Sequence, residues 1–370
     1  MLCKPLQRCE KRPSNLFIRP FWPGSRERIP RPRPARPCTV SVTTPKKKEK
    51  RIMRIVFPDG AGCVQKPEDL EPLQRIGPVD FYQGPPQDKA ELIARLREAE
   101  AVFLDYSVMD AEVLQHCPKL RFICFLGIGY ASCIDVEEAT RRGIVITYTP
   151  DYGATSVAEH TLGMILALTR HICAAAHSFR QGRWEPGQFQ GVELRGKILG
   201  IVGLGPIGQE MARLGAGIGM QLLAWTRNPS PERAQYGLTF VSLEELFSRS
   251  DIVTLHLSYN QETHGLVSRA LLNRLKPDAY FINTARAKIV DNAALAELLQ
   301  SRRIAGAALD VHEEEPPRGE YIFRSLPNVL LTPHIGYNTR EAGTNMLRIA
   351  IATLEAYLRG EQLHVVNAPG

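Results

Sequence analysis

Short apolar runs recur from residue 53 to residue 335, separated by longer stretches with helical spacing. MRIVFP (53–58), AVFLD (101–105), RFICFLG (121–127) and IVITYTP (144–150) are each apolar and end in turn formers. Strands buried on both faces read this way. Between them, DKAELIARLREAE (88–100) puts Leu92, Ile93 and Leu96 on one helical face, and AEVLQHC (111–117) and DVEEATRRG (135–143) also read as helices. The rhythm then resumes. KILGIV (197–202), LLAWT (222–226), DIVTLHL (251–257), AYFINTA (279–285), AGAALDV (305–311) and VLLTPHI (329–335) read as strands. LEELFSR (243–249), SRALLNRL (268–275) and NAALAELLQ (292–300) read as helices between them. Strands alternating with helices predict an α/β fold with two doubly wound parallel sheets.

Two stretches stand outside that rhythm. TSVAEHTLGMILALTRHICAAAHSFRQGRW (155–184) is apolar nearly all round, which predicts one long helix buried on several sides, between domains or against a second subunit. REAGTNMLRIAIATLEAYLRG (340–360) predicts a last helix that crosses back to the first sheet. The expected domains are therefore 53–149 with 337–370, and 150–336 between them. Residues 1–52, rich in Arg and Pro, are expected to be disordered. Three origins stay open: a flexible extension without function, a transit peptide, or a chain whose translation starts at Met53. The prolines oppose the amphipathic helix of a transit peptide, so a cytoplasmic protein is the expectation.

Charge changes the picture once it is divided along the chain. The net charge is +7, but residues 1–52 hold 15 Lys and Arg against 3 Asp and Glu. The remainder holds 31 basic and 36 acidic residues, so the body is mildly acidic. Nucleic-acid binding needs basic charge gathered on the working surface, and none is expected here. No apolar run approaches the ~20 residues of a membrane span. The eight cysteines show neither a C-x-x-C pair nor a framework spacing, which points to a reducing compartment and no structural metal. Cys124, inside an apolar run, reads as a small buried hydrophobe.

The chemistry begins at 203–208. Gly203, Gly205 and Gly208 stand at G-x-G-x-x-G spacing between an apolar strand and an amphipathic helix that starts near Pro206. The first glycine permits a tight turn, the second lets a pyrophosphate approach the main chain, and the third lets helix and strand pack closely. The helix N-terminus then offers free N–H groups to the phosphates. A bare glycine turn would show the same letters, but the strand–turn–helix–strand context favours a dinucleotide site.

Three polar side chains follow strand ends in the second half: Arg286 after FINTA, Glu315 in DVHEEEP and His334 after LLTP. Ligands of open α/β sheets bind at those ends. Arginine pairs bidentately with a carboxylate, histidine exchanges a proton near neutrality, and a carboxylate beside a histidine favours the charged ring. Singly, each residue has a plain surface or loop explanation. Together they supply what hydride transfer to a 2-keto acid requires. His160 reads as a packed helix residue, His256 as a strand cap near the cofactor cleft, and His264 and His312 as surface residues.

The segments GVELRGKILGIVGLGPIG, FINTARAKIVD, GAALDVHEEEPP and LTPHIGY resemble the D-isomer-specific 2-hydroxyacid dehydrogenase family, in the style of its phosphoglycerate dehydrogenase branch, over residues 53 to 365. The resemblance implies a Rossmann-type dinucleotide-binding domain inserted into a flavodoxin-like substrate domain. It implies a catalytic set Arg286, Glu315 and His334. It puts Pro206 and Ile207 at the pyrophosphate, Thr284 and Asp310 near the nicotinamide, and the N–H groups of Gly127, Ile128 and Gly129 at the substrate carboxylate. It also implies a homodimer built partly on the helix after Thr155. The chain departs from the family in three places. Thr226 and Arg227 stand where an NAD-preferring site carries an acid, so the cofactor is NAD or NADP. Phe125 stands where phosphoglycerate dehydrogenases usually carry an arginine, which weakens 3-phosphoglycerate as substrate. The chain ends soon after the last helix, so amino-acid control through a C-terminal domain is not expected. The expected reaction is hydride transfer between the nicotinamide and a small D-2-hydroxy or 2-keto acid. A dinucleotide-sensing corepressor and an oxidant of an anion such as phosphite are the alternatives; formate fits less well, because enzymes of that type use a different partner where Glu315 stands.

Overall fold

The computed structural model describes residues 52–367; the expected disorder of the basic extension lies outside the described residues. The first sheet comprises β1 (Ile55–Phe57), β2 (Val79–Phe81), β3 (Ala101–Leu104), β4 (Phe122–Phe125) and β5 (Val145–Tyr148), all parallel, in the order β2-β1-β3-β4-β5. Every residue of β1, β3 and β4 is buried, which is why these segments are unbroken apolar runs. The connecting helices are α1 (Glu71–Gln74), α2 (Lys89–Leu96), α3 (Ala111–Gln115) and α4 (Val136–Arg141). Asp88, Asp110 and Asp135 start α2, α3 and α4, each accepting a backbone N–H three residues on.

The chain then builds α5 (Ala154–Thr169) and α6 (Ile172–Arg180) and enters a second parallel sheet. Its strands are β6 (Ile198–Val202), β7 (Gln221–Trp225), β8 (Thr239–Phe240), β9 (Ile252–Leu255), β10 (Tyr280–Asn283), β11 (Gly306–Leu309) and β12 (Val329–Leu331). They lie in the order β12-β11-β10-β9-β6-β7-β8. The order reverses between β6 and β9, the place where such sheets bind ligands. Helices α7 (Pro206–Gly217), α8 (Leu243–Arg249), α9 (Arg269–Leu272) and α10 (Asn292–Gln300) complete the layers. The last helix, α11 (Arg340–Arg359), lays Met346, Leu347, Ala350 and Leu354 against Phe57, Phe103 and Phe122 of the first sheet. The architecture is thus a Rossmann-type unit inserted into a flavodoxin-like one.

Residues 155–184 do not form one helix. Thr169 ends α5 because its carbonyl accepts the Val192 N–H at 2.9 Å, and His171 adopts φ 53° before α6 departs at 61°. Only the first half is buried as expected: α5 buries six residues, among them Ala158, Thr161 and Ile165, whereas α6 buries Ser178 alone. Apolar composition could not separate the two, since Ala174 to Ala176 look equally apolar in or out of a core. The edge strands β2 and β8, three and two residues long, were too short to show a period.

Candidate active site

Gly203 turns the chain after β6 with φ 97°. A Cβ there would lie 2.5 Å from the His256 carbonyl oxygen, and one on Gly208 would lie 2.1 Å from the Gly203 carbonyl oxygen. Main chain closes both positions to a side chain. At Gly205 a Cβ would meet nothing within 4 Å. That open space borders the start of α7, where Pro206 occupies the first turn and no side chain caps the helix. The uncapped first-turn N–H groups and the absent Cβ together fit a pyrophosphate. Ile207 is half-buried beside it.

At the end of β7, Thr226 is half-buried and Arg227 is exposed, and Arg227 forms an ion pair with Glu262 from the segment after β9. An acid therefore reaches this corner from a loop that the glycine spacing does not point to. Thr284, buried at the end of β10, shares a 3.0 Å hydrogen bond with Thr161 of α5. The His256 ring lies 2.9 Å from the Thr254 hydroxyl, and its Nδ1 is buried without a partner among the described residues. Burial pushes its pKa down to about 3, so the ring is neutral.

Arg286 projects from a turn that Asn283 clamps. The Asn283 side chain accepts the Ala285 N–H at 3.0 Å and donates to the Arg286 carbonyl at 3.0 Å. The guanidinium donates to the Ala285 carbonyl at 2.7 Å and forms no ion pair among the described residues. Its Nη2 lies 3.4 Å from the place a Cβ on Gly129 would take, so the turn after β10 and the loop after β4 meet. In that loop the Gly127 N–H already donates to Phe125 at 3.0 Å. The N–H groups of Ile128 and Gly129 have no acceptor among the described residues and are the ones left for a ligand.

His334 sits in the left-handed region at φ 53°. A histidine there is strained, and Asp310 holds it in place. Asp310 is buried, and its carboxylate accepts from the Thr332 hydroxyl at 2.6 Å, the Ile335 N–H at 3.0 Å and the Gly336 N–H at 2.8 Å. His160 lies 3.5 Å from the same carboxylate. Asp310 is thus a clamp under the His334 turn, with its oxygens occupied by protein, and His160 is packed on α5 as its sequence context suggested. The His334 Nδ1 is 2.7 Å from Glu315 Oε2, which leaves Nε2 for a substrate. Burial works against ionisation of Glu315, but the hydrogen bonds from His334 and the His312 N–H outweigh it and hold the carboxyl below its ordinary value.

His312 is not the surface residue its loop suggested. Its ring nitrogens lie 2.8 Å from the Tyr321 hydroxyl and 3.0 Å from the Thr332 carbonyl, and its N–H donates to Glu315 Oε1 at 2.9 Å. It braces the acidic loop against the end of β12. Tyr337 was also missed; its ring stands 6.0 Å from His334 and 6.3 Å from Tyr152, both edge-on. Its position three residues past His334 was the only signal in the sequence.

Residues 162–336 match the profile of "D-isomer specific 2-hydroxyacid dehydrogenase, NAD binding domain". The chain is 37% identical over 308 residues to a glyoxylate reductase of Thermococcus litoralis, covering 80% of this chain and 92% of that one. The chain belongs to the D-isomer-specific 2-hydroxyacid dehydrogenase family. It is 39% identical over 304 residues to a D-3-phosphoglycerate dehydrogenase of a Synechocystis species, covering 81% of this chain and 54% of that one. A solved NADPH-dependent glyoxylate/hydroxypyruvate reductase of Sinorhizobium meliloti superposes with a TM-score of 0.74 at 31% identity, covering 86% and 98% of the two chains. As a 2-hydroxyacid dehydrogenase the protein is an oxidoreductase that uses a nicotinamide cofactor and acts on the CH–OH group of a small acid.

Proposed function

We propose that Arg286, Glu315 and His334 reduce a small 2-keto acid reversibly to its D-2-hydroxy acid. The observation that carries this reading is the convergence of three parts. Arg286, after β10, meets the Ile128–Gly129 loop, and the His334–Glu315 pair joins the ends of the next two strands of the sheet, Glu315 after β11 and His334 after β12. Arg286 and the two free N–H groups hold the substrate carboxylate, and the guanidinium polarises the adjacent carbonyl. The bound nicotinamide supplies the hydride. His334 gives the proton on Nε2 to the carbonyl oxygen as the C–H bond forms, and takes it back in oxidation. Glu315 keeps the ring oriented through Nδ1–H.

Gly203, Gly205, Pro206, Ile207 and Gly208 would hold the pyrophosphate of the cofactor, Thr226 and Arg227 its ribose end, and Thr284 its nicotinamide end. No acid ends β7, so a 2′-phosphate would meet no repulsion from that strand end, and Arg227, which pairs with Glu262, would be its cation. The division of the chain at 149/150 and 336/337 is supported by the packing of α11 on the first sheet. A homodimer is supported by the apolar surface of α6 and its flank, where Ile172, Phe179 and Trp184 are exposed. The mildly acidic body disfavours nucleic acid as a partner.

The test is steady-state reduction of glyoxylate, hydroxypyruvate, pyruvate, phenylpyruvate and 3-phosphohydroxypyruvate, each with NADH and NADPH. Turnover of at least one acid, with NADPH used, is expected. Silence on all five, with cofactor bound, would contradict the reading.

A further inference from the structure

A cavity of about 560 Å³ opens at the carboxyl edge of the first sheet, lined by Gly60, Cys63, Phe81, Gln83, Asp105 and Tyr337 among others. It adjoins the site just described. Tyr337 lines it and stands edge-on to His334, and Asp105 acts electrostatically on both Tyr337 and Tyr152. The volume lies within the ~300–1,000 Å³ of ordinary small-molecule pockets. Glyoxylate, which has no side chain, would leave it to water.

The lining is chemically one-sided. It contains no lysine or arginine. Behind it Asp59 is fully buried and spends its carboxylate on the N–H groups of Asp105, Tyr106 and Ser107, at 3.2, 2.9 and 2.7 Å. Asp105 stands in front of that charge, with no ion pair among the described residues. Its burial and the charge of Asp59 push its carboxyl up to about 7, against the opposing Gly62 backbone. The same carboxyl, after burial, helps to push the Cys63 thiol up to about 12. A phosphate tail would meet the Asp105 carboxyl, backed by the buried Asp59, and no cation. An ammonium or guanidinium would supply the counter-charge that the cavity lacks.

We infer that Asp105 selects the substrate side chain, and that the cavity beside His334 takes 2-keto acids whose tail ends in a cation. This rests on the proposed reaction, and glyoxylate separates the two. Having no tail, it reports the reaction without the cavity. The experiment measures kcat/KM with NADPH for glyoxylate, 2-oxohexanoate, 5-guanidino-2-oxopentanoate and 3-phosphohydroxypyruvate. The guanidino acid should exceed 2-oxohexanoate by about tenfold or more, as a charge-assisted contact predicts, and the phosphate acid should rank below both. Asp105→Asn should lower the guanidino-to-neutral ratio by about tenfold or more, and Asp105→Glu should retain part of it. Glyoxylate turnover with the neutral acid equal or ahead would overturn the inference and leave the reaction standing. So would a guanidino preference that Asp105→Asn and Asp105→Glu both leave intact. No turnover of any acid, glyoxylate included, would remove both readings.

Discussion

At the turn after β6 the ligand-facing surface is main chain. At the carboxyl edge of the first sheet it is side chains gathered from segments near 60–64, 81–83, 105–106 and 337–346. The first surface is local: a strand, two glycines that only glycine can occupy, and an uncapped helix start within a dozen residues. The second exists only after the sheet has closed and α11 has returned to it. The difference decides how each tolerates change. A site made of backbone conformation fails when the backbone cannot fold that way. A site made of side chains can lose its preference while the fold survives.

The largest effect should come where the backbone is closed. Gly208→Ala forces a Cβ against the Gly203 carbonyl at 2.1 Å, so a loss on the order of 3 kcal/mol or more in urea unfolding is expected. Gly205→Ala should behave oppositely, although it lies only three residues away. With nothing within 4 Å of its Cβ, stability should stay within about 0.5 kcal/mol. NADPH affinity by calorimetry should nonetheless fall by about tenfold or more as a charge-assisted phosphate contact is lost. Equal stability losses in the two variants would break the contrast between a closed and an open glycine.

On the side-chain surface, Asp105→Asn should stabilise rather than destabilise, in a pH-dependent way. An aspartate held at about 7 in the folded protein binds a proton that the unfolded chain has already released above its ordinary 3.8. Folding stability therefore declines as pH rises from about 4 to about 7, and asparagine removes that decline. The variant should melt higher than wild type at pH 8, with the gap shrinking toward pH 4. A gap that is constant with pH would contradict the placement of Asp105. The smallest effect belongs to the exposed Arg227–Glu262 pair. Glu262→Gln should raise the NADPH-to-NADH ratio of kcat/KM by up to about fivefold, the scale of a surface ion pair.

The same division explains what could be read in the chain. The order of strands and helices was legible because the interior strands β1, β3, β4, β9, β10 and β11 are buried along their whole length and so appear as unbroken apolar runs. Gly203, Gly205 and Gly208 were legible because backbone geometry leaves a glycine as its mark. Arg286, Glu315 and His334 could be picked out because each follows a strand end with chemistry that suits the others. The break at His171 was hidden, since it depends on Val192 capturing the Thr169 carbonyl from across the fold. Asp105 and Glu262 were hidden for a like reason. Each reads as an ordinary acid beside a turn, and only folding brings Asp105 in front of Asp59 and Glu262 onto Arg227. Asp310 was singled out, but its work as the clamp beneath His334 shows only in its hydrogen bonds.

The most direct test of the account is His334→Ala, with glyoxylate reduction and NADPH binding measured on the same preparation. Loss of the proton donor should lower kcat by about 10²–10⁴, with the NADPH dissociation constant within about twofold of wild type, because His334 touches none of the glycine turn. A kcat within tenfold of wild type, or a parallel collapse of turnover and cofactor binding, would contradict the assignment of His334 as the group that carries the proton.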